Sequence, residues 1–349
     1  MNKKLRNIGK YLFWIAVSVA LLYFSFRHFN LADFKTALQY CHWEYIVLSM
    51  LLGAFVIFVR ALRWRMLLLP LDPSTSILTC WNAYNICMIV NLALPRAGEI
   101  ARCGYITRHS VRDDEGNKLA SLDKVIGTVV LDRVWDVVSF LIIAVILFFV
   151  FWDQFGSFIT GTLLGGMASK VSLLWVIVVA GALILLFVWL CWRLRERGKI
   201  WGKVWGWIQG LWEGLLSCLH MKNGGLFIVY TAIIWCCYWL MSACVLRSLQ
   251  NIDAFGTNLT IATDDIYRLN ELGLVDAFFL MFVGSVSSLI PVPGGFGVYH
   301  AAISWSISSV YGISEFLGKT FAILSHESQV IVNAFCGACS YVHETFFRR

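Results

Sequence analysis

Charged side chains interrupt the apolar stretches of this 349-residue chain at spacings that suit the binding of an anion. Arg60 and Arg63 stand one helical turn apart near the end of an apolar run, with Arg65 just beyond. Arg96, Glu99 and Arg102 repeat at three-residue intervals, and Asp132, Arg133 and Asp136 fall within little more than one turn. In that last group the two aspartates share a helix face, and Arg133 reaches Asp136 at i, i+3. Ionised groups inside apolar segments are expensive, which makes each a candidate for function. A guanidinium grips a phosphate through paired N–H groups, so these arginines suit an anionic phosphate. The carboxylates would orient them or meet an amine. The bland reading is that Arg60, Arg63 and Arg65 snorkel to an interface while residues 132–136 form a structural ion-pair cluster.

A second signal comes from backbone breakers. Residues 287–300 contain Pro291, Pro293, Gly294, Gly295 and Gly297 between long apolar runs, and end on His300. Two prolines and three glycines do not fit an uninterrupted helix, because proline lacks an N–H and clashes with the preceding turn. Backbone unwound at membrane depth must be buried in protein or face a wet cavity. A weaker relative occurs at Pro95 and Gly98. Both segments act either as broken-helix gating elements or as plain loops between helices. His300 titrates in the physiological range when unperturbed, so it would carry a coupling proton, sense a headgroup, or bond a freed carbonyl. His326 and Glu327 add a secondary polar pair, placed by hydropathy within the first two turns of the last span.

The elements that must position these groups follow from composition. The chain is 59% hydrophobic and only 14% charged, with five prolines, which excludes a soluble globular or disordered protein. Apolar runs occur at 11–26, 45–62, 77–94, 125–152, 171–192, 226–246, 277–290, 298–311 and 321–342. The runs 277–290 and 298–311 are each 14 residues, short of the roughly 20 needed to cross a bilayer. Residues 11–26 follow Lys3, Lys4, Arg6 and Lys10 and read as a first span with a cytoplasmic N-terminus, not as a cleaved signal. Loops 96–124 and 193–203 are basic and expected in the cytoplasm; loop 251–276 is acidic and expected outside. These assignments agree if 77–95 and 277–311 are re-entrant hairpins dipping from opposite faces, which suggests an inverted repeat; a full span at 77–95 with one loop breaking the charge rule is the alternative. The fold expected is all-α: a polytopic helical integral membrane protein of about seven to nine hydrophobic segments. It forms a single domain over 1–349, with approximate halves 1–155 and 171–349.

Eleven cysteines fall mostly in apolar runs, where a thiol acts as a small hydrophobe. Cys336 and Cys339 have redox spacing but no soluble fold around them, and neither metal nor cofactor is expected. Trp201, Trp205, Ile208, Trp212 and Leu215 recur at helical spacing beside Lys199 and Lys203, which reads as an interfacial helix. No nucleotide loop, zinc-spaced cluster or nucleophile elbow occurs.

The segment 94–102, the Asp132-Arg133 helix and the run 291–297 resemble, in that order, the lysylphosphatidylglycerol synthase transmembrane region family, also described as flippase-like. In that family the membrane region is joined in some members to a cytoplasmic aminoacyltransferase domain and moves the charged lipid between leaflets. No such domain is expected within residues 1–349. His300 stands where many relatives carry glutamate, which bears on substrate charge and coupling. The resemblance implies a translocator of the bacterial inner membrane for a phospholipid, an aminoacyl lipid or a polyprenyl-linked glycolipid. Membrane lipids are then the partners, without nucleic acid, and a separate lipid-modifying enzyme is a candidate partner. The other readings are a membrane-embedded glycosyl- or aminoacyl-lipid transferase, and a non-catalytic scaffold.

Overall fold

The computed structural model describes residues 3–27, 29–94, 96–151, 186, 189–194, 201–202, 205–206, 209, 221, 223–252 and 261–346. Pro95, most of the expected 171–192 span, and the interfacial stretch 199–215 apart from a few positions lie outside the described residues. The regular elements are helices: α1 (Lys3–Phe26), α2 (Leu31–Tyr40), α3 (Trp43–Leu68), α4 (Ile77–Ala93), α5 (Ala97–His109), α6 (Leu122–Val150), α7 (Gly224–Ser248), α8 (Thr263–Glu271), α9 (Leu274–Ser287), α10 (Val298–Tyr311) and α11 (Glu315–Phe346). Among the described residues the only β-pairing is a single bridge between Arg112 and Lys118. An all-helical fold follows from the medium, since a helix satisfies its own backbone where lipid cannot.

Among the described residues three helices are long and apolar enough to cross a membrane unaided: α3, α6 and α7. The pair α8 and α9 passes that test only jointly, and it is bent by 93°. Most helices extend beyond the apolar runs, because hydropathy stops at a charge while backbone hydrogen bonding continues. Thus α3 runs on through Arg63 and Arg65 to Leu68, and α11 starts at Glu315, six residues ahead of the apolar run. His326 is therefore eleven residues into its helix, about 16 Å along the axis, and deeper than the first two turns expected. The basic stretch after residue 96, expected as loop, contains α5.

The chain divides into two compact units, Met1–Val129 with Leu226–Arg349, and Val130–Gly225. In the first, α11 packs on α3, α4 and α10, while α4 packs on α3 and α5. Val56 and Val59 of α3 form an apolar cluster with Ile234 and Cys237 of α7. Polar side chains tie the same helices. Asn85 donates to Ser340 at 2.8 Å, Gln329 to the Ser49 carbonyl at 3.3 Å, and the Tyr299 and Ser325 hydroxyls lie 2.7 Å apart. Each such interhelical bond contributes about 0.6 kcal/mol in membrane proteins, so they set register more than they supply stability.

One buried carboxylate anchors the loops at one end of this unit. Asp72, between α3 and α4, accepts from the Ser74 backbone and hydroxyl at 3.0 and 2.6 Å, and from Ser110 Oγ and Val111 N at 2.7 and 3.2 Å. Burial alone would raise its pKa, but these bonds outweigh it and hold the carboxyl below its ordinary value. A depressed folded pKa gives stability that is present above the unfolded value, about 3.9, and is lost as pH falls through the folded one. Asp72→Asn should therefore cost about 1–3 kcal/mol at pH 7, and the gap to wild type should close in stronger acid. Thermal unfolding in detergent at both pH values checks this. A gap that stays constant into acid would show that Asp72 does not act as a carboxylate.

Candidate functional site

The two proline–glycine breaks meet. Helices α4 and α5 form one helical hairpin, and α9 and α10 form another. In the first, the Gly98 N–H donates to Asn91 Oδ1 at 2.9 Å. A Cβ at Gly98 would fall on the Cys87 carbonyl oxygen and 2.7 Å from Asn91 Oδ1, so only glycine lets α5 turn back this tightly. Arg96, at the tip, has φ 63°, a left-handed conformation that costs a non-glycine residue about 1–2 kcal/mol. Its guanidinium crosses to the other hairpin and donates to the Leu289 carbonyl at 2.9 Å. Leu92 sits against Gly294 in the same seam.

The second tip is more elaborate. Leu289 to Val292 turn without regular helix, Pro293–Gly295 makes one 3-10 turn, and Gly294, Gly295 and Gly297 all have positive φ. Helix α1 packs against this tip, with Ser18 Oγ donating to the Phe296 carbonyl at 2.8 Å. The Gly294 carbonyl lies 2.8 Å from His326 Nε2. The freed backbone is thus met by side chains from α1 and α11. His300 does not cap a freed carbonyl in this way; His326 does.

His300, His326 and Glu327 form a cluster beside the break. Glu327 Oε1 lies 3.4 Å from His300 Nε2 and 3.0 Å from His326 Nδ1. The two imidazole rings are 4.9 Å apart by centroid. His300 is 2% exposed, and its Nδ1 is buried without a hydrogen-bond partner. Both His300 and Glu327 open onto a cavity of about 390 Å³, whose walls are otherwise apolar and include Leu22, Phe26, Phe29 and Phe34. The cavity sits among α1, α2, α10 and α11.

Three of the arginines read from the sequence, Arg60, Arg63 and Arg102, are buried elsewhere in the first unit. Arg60 Nε donates to the Tyr238 hydroxyl at 2.9 Å and lies over its ring. Arg63, fully buried, donates to Thr231 Oγ1 at 3.3 Å and lies over Phe227. Their i, i+3 spacing does put both on one face, directed at α7. Arg102, also fully buried, is held between Trp64 and Tyr84, 4.5 Å from each ring centroid, with Nε and Nη2 2.7 and 2.6 Å from Glu99 Oε2. Arg65 donates to the Thr75 carbonyl at 2.7 Å, as an end-of-helix anchor would. In the second unit, Arg133 pairs with Asp136 at 3.1 Å and Asp132 is fully buried. Cys336 and Cys339, the redox-spaced pair, are free thiols.

Sequence reasoning missed the aromatic partners of the arginines, because these lie on other helices. It also missed a polar cluster at the ends of α5 and α11. There Glu344 accepts from Tyr105 at 2.6 Å and lies 2.8 Å from His109 Nε2, while Asn82 lies 3.1 Å from His343 Nδ1. Asn82 and Asn85, one turn apart on an otherwise apolar α4, were the available signal.

Fold and site together define a polytopic helical membrane protein in which two helical breaks meet. The model of one family, the lysylphosphatidylglycerol synthase TM region, matches residues 11–264, well over half of the chain. The protein belongs to that family. The matched residues end before the Pro291–Gly297 break. Comparison with curated proteins and with solved structures gave no significant match.

Proposed function

We propose that the protein moves a lipid between the leaflets of a bacterial inner membrane: a phospholipid, an aminoacyl lipid or a polyprenyl-linked glycolipid. Membership in a family of membrane regions named for lipid synthesis supports a lipid-related role. The observation that carries the reading is the seam in which two broken hairpins meet tip to tip, through Arg96 and the Leu289 carbonyl. Discontinuous helices meeting at membrane depth are a recurrent way to build a transporter site. The apolar walls of the adjacent cavity accept an acyl chain, and His300 with Glu327 gives it one polar end. The buried arginines Arg60, Arg63 and Arg102 supply positive charge for a lipid phosphate, with Glu99 as an orienting or amine-facing group. Downhill movement or an ion gradient then drives the step.

The same reading takes the hairpins as re-entrant from opposite faces, related by an inverted repeat, within seven to nine hydrophobic segments. The N-terminus and residues 96–124 face the cytoplasm. Labelling of a cysteine placed at exposed Glu115 by an impermeant reagent from outside intact cells, in a cysteine-free background, would overturn that arrangement.

The function is tested with purified full-length protein in liposomes carrying a fluorescent lipid of each class. Accelerated loss of inner-leaflet protection against an impermeant quencher is expected for at least one class. Protein-free rates for all three would sink the reading, and appearance of a new lipid product would replace it with a transferase.

A further inference from the structure

We propose that His300, His326 and Glu327 bind one transition-metal ion of the zinc class, held between α10 and α11 beside the broken segment. The three residues each offer a ligand atom, and all of these atoms lie within 4.8 Å of one another. Two imidazoles and a carboxylate are a donor set that zinc takes at about 2.0–2.2 Å in tetrahedral geometry. Ligand atoms at that radius stand about 3.3 Å apart. The two edges through Glu327 measure 3.0 and 3.4 Å, close to that spacing, and the third lies within 4.8 Å.

The hydrogen bonds of His326 argue in the same direction. Its Nδ1 faces the Glu327 carboxylate and its Nε2 faces the Gly294 carbonyl, at 3.0 and 2.8 Å. Both partners are acceptors when the carboxylate is ionised, yet a neutral imidazole has one N–H. A cation on the Nδ1 side resolves the conflict, because Nε2 then carries the proton and donates to Gly294. Metal-bound histidines characteristically donate their second N–H to a carbonyl or carboxylate in this way. His300 presents a second imidazole to the same carboxylate: it is 2% exposed and its Nε2 lies 3.4 Å from Glu327 Oε1. The cavity lined by His300 and Glu327 leaves room for a fourth ligand and a route of entry. The bound ion braces the Gly294 turn through His326. This inference rests on the cluster alone and stands apart from the lipid reading.

The test uses full-length protein in detergent, with Zn2+ and Co2+ as probes. After loading and desalting, elemental analysis should find about one zinc per wild-type chain and near none in His326→Gln or Glu327→Gln. His109→Gln, at the unrelated Glu344 cluster, should keep its zinc. Chelator should lower the wild-type Tm, and Zn2+ should restore it in proportion to its free concentration. Co2+ should give the visible absorption of a four-coordinate ion. Should the variants fail to fold, the chelator and cobalt experiments on wild type decide alone. Folded wild type that takes up no zinc and shows no chelator effect overturns the site. So does a wild-type Tm that stays unchanged at every free Zn2+ concentration.

Discussion

Gly297→Ala is expected to lower stability by about 3 kcal/mol or more, enough to leave much of the protein unfolded or aggregated on extraction. Two costs combine. The residue has φ 83°, a conformation that L side chains rarely adopt. A Cβ there would also lie 2.8 Å from the Ser18 carbonyl oxygen, 2.9 Å from Leu21 Cβ and 3.1 Å from the Leu22 nitrogen. These are backbone or near-backbone atoms of α1, so no side chain can swing aside. Strain at such a position costs about 1–3 kcal/mol, and overpacking a similar amount. If α1 yields instead, it loses the bond from Ser18 to Phe296. Gly127→Ala in α6 is the control, because a Cβ there meets nothing within 4 Å, and it should be neutral or slightly stabilising. Thermal unfolding followed by size-exclusion profile separates the two. Equal stability of both variants would mean that α1 does not clamp the break.

The second large effect is expected at Arg102. Its guanidinium touches two aromatic faces while holding Glu99, which a flat, delocalised cation can do and a compact ammonium cannot. Arg102→Lys keeps the charge but reaches one partner at a time, with an expected loss of about 1–2 kcal/mol. Translocation in liposomes should slow by about tenfold, which corresponds to 1.4 kcal/mol of lost interaction in the rate-limiting step. Arg102→Met should cost more stability, because Glu99, with 25% of its side chain exposed, loses this ion pair without full access to water. Wild-type translocation by folded Arg102→Lys would assign this arginine to architecture and not to the substrate.

Much of the fold is legible in the chain because bilayer helices must be apolar and breaks must carry proline or glycine. Residues 298–311 are a helix of the expected bounds, since glycine starts it and Gly312 ends it in the left-handed region. Helix α5 escaped because residues 97–109 carry too many polar groups for a hydropathy test, although they satisfy a 3.6-residue repeat well enough to bury Gly98, Arg102 and Ile106. The candidate site was legible in residue type and not in partnership. Arg63 finds Thr231 across 168 positions, Arg60 finds Tyr238 across 178, and Arg96 finds Leu289 across 193. No local periodicity encodes such pairs. His326 and Glu327 appeared near the mouth of the last span because Glu315 and Lys319 hid its first two turns, and their convergence on His300 depends on how α10 is set by the break.

The bond from Ser18 to Phe296 spans 278 positions, and this separation bears on how the protein is made. At about 5–20 residues per second of synthesis, α1 leaves the ribosome roughly 15–55 seconds before the carbonyl it will cap exists. Throughout that interval Ser18, Leu21 and Leu22 must rest against lipid or against another protein of the insertion machinery. The seat of the first helix is finished among the last, so the unwound tip closes only once nearly the whole chain has entered the membrane.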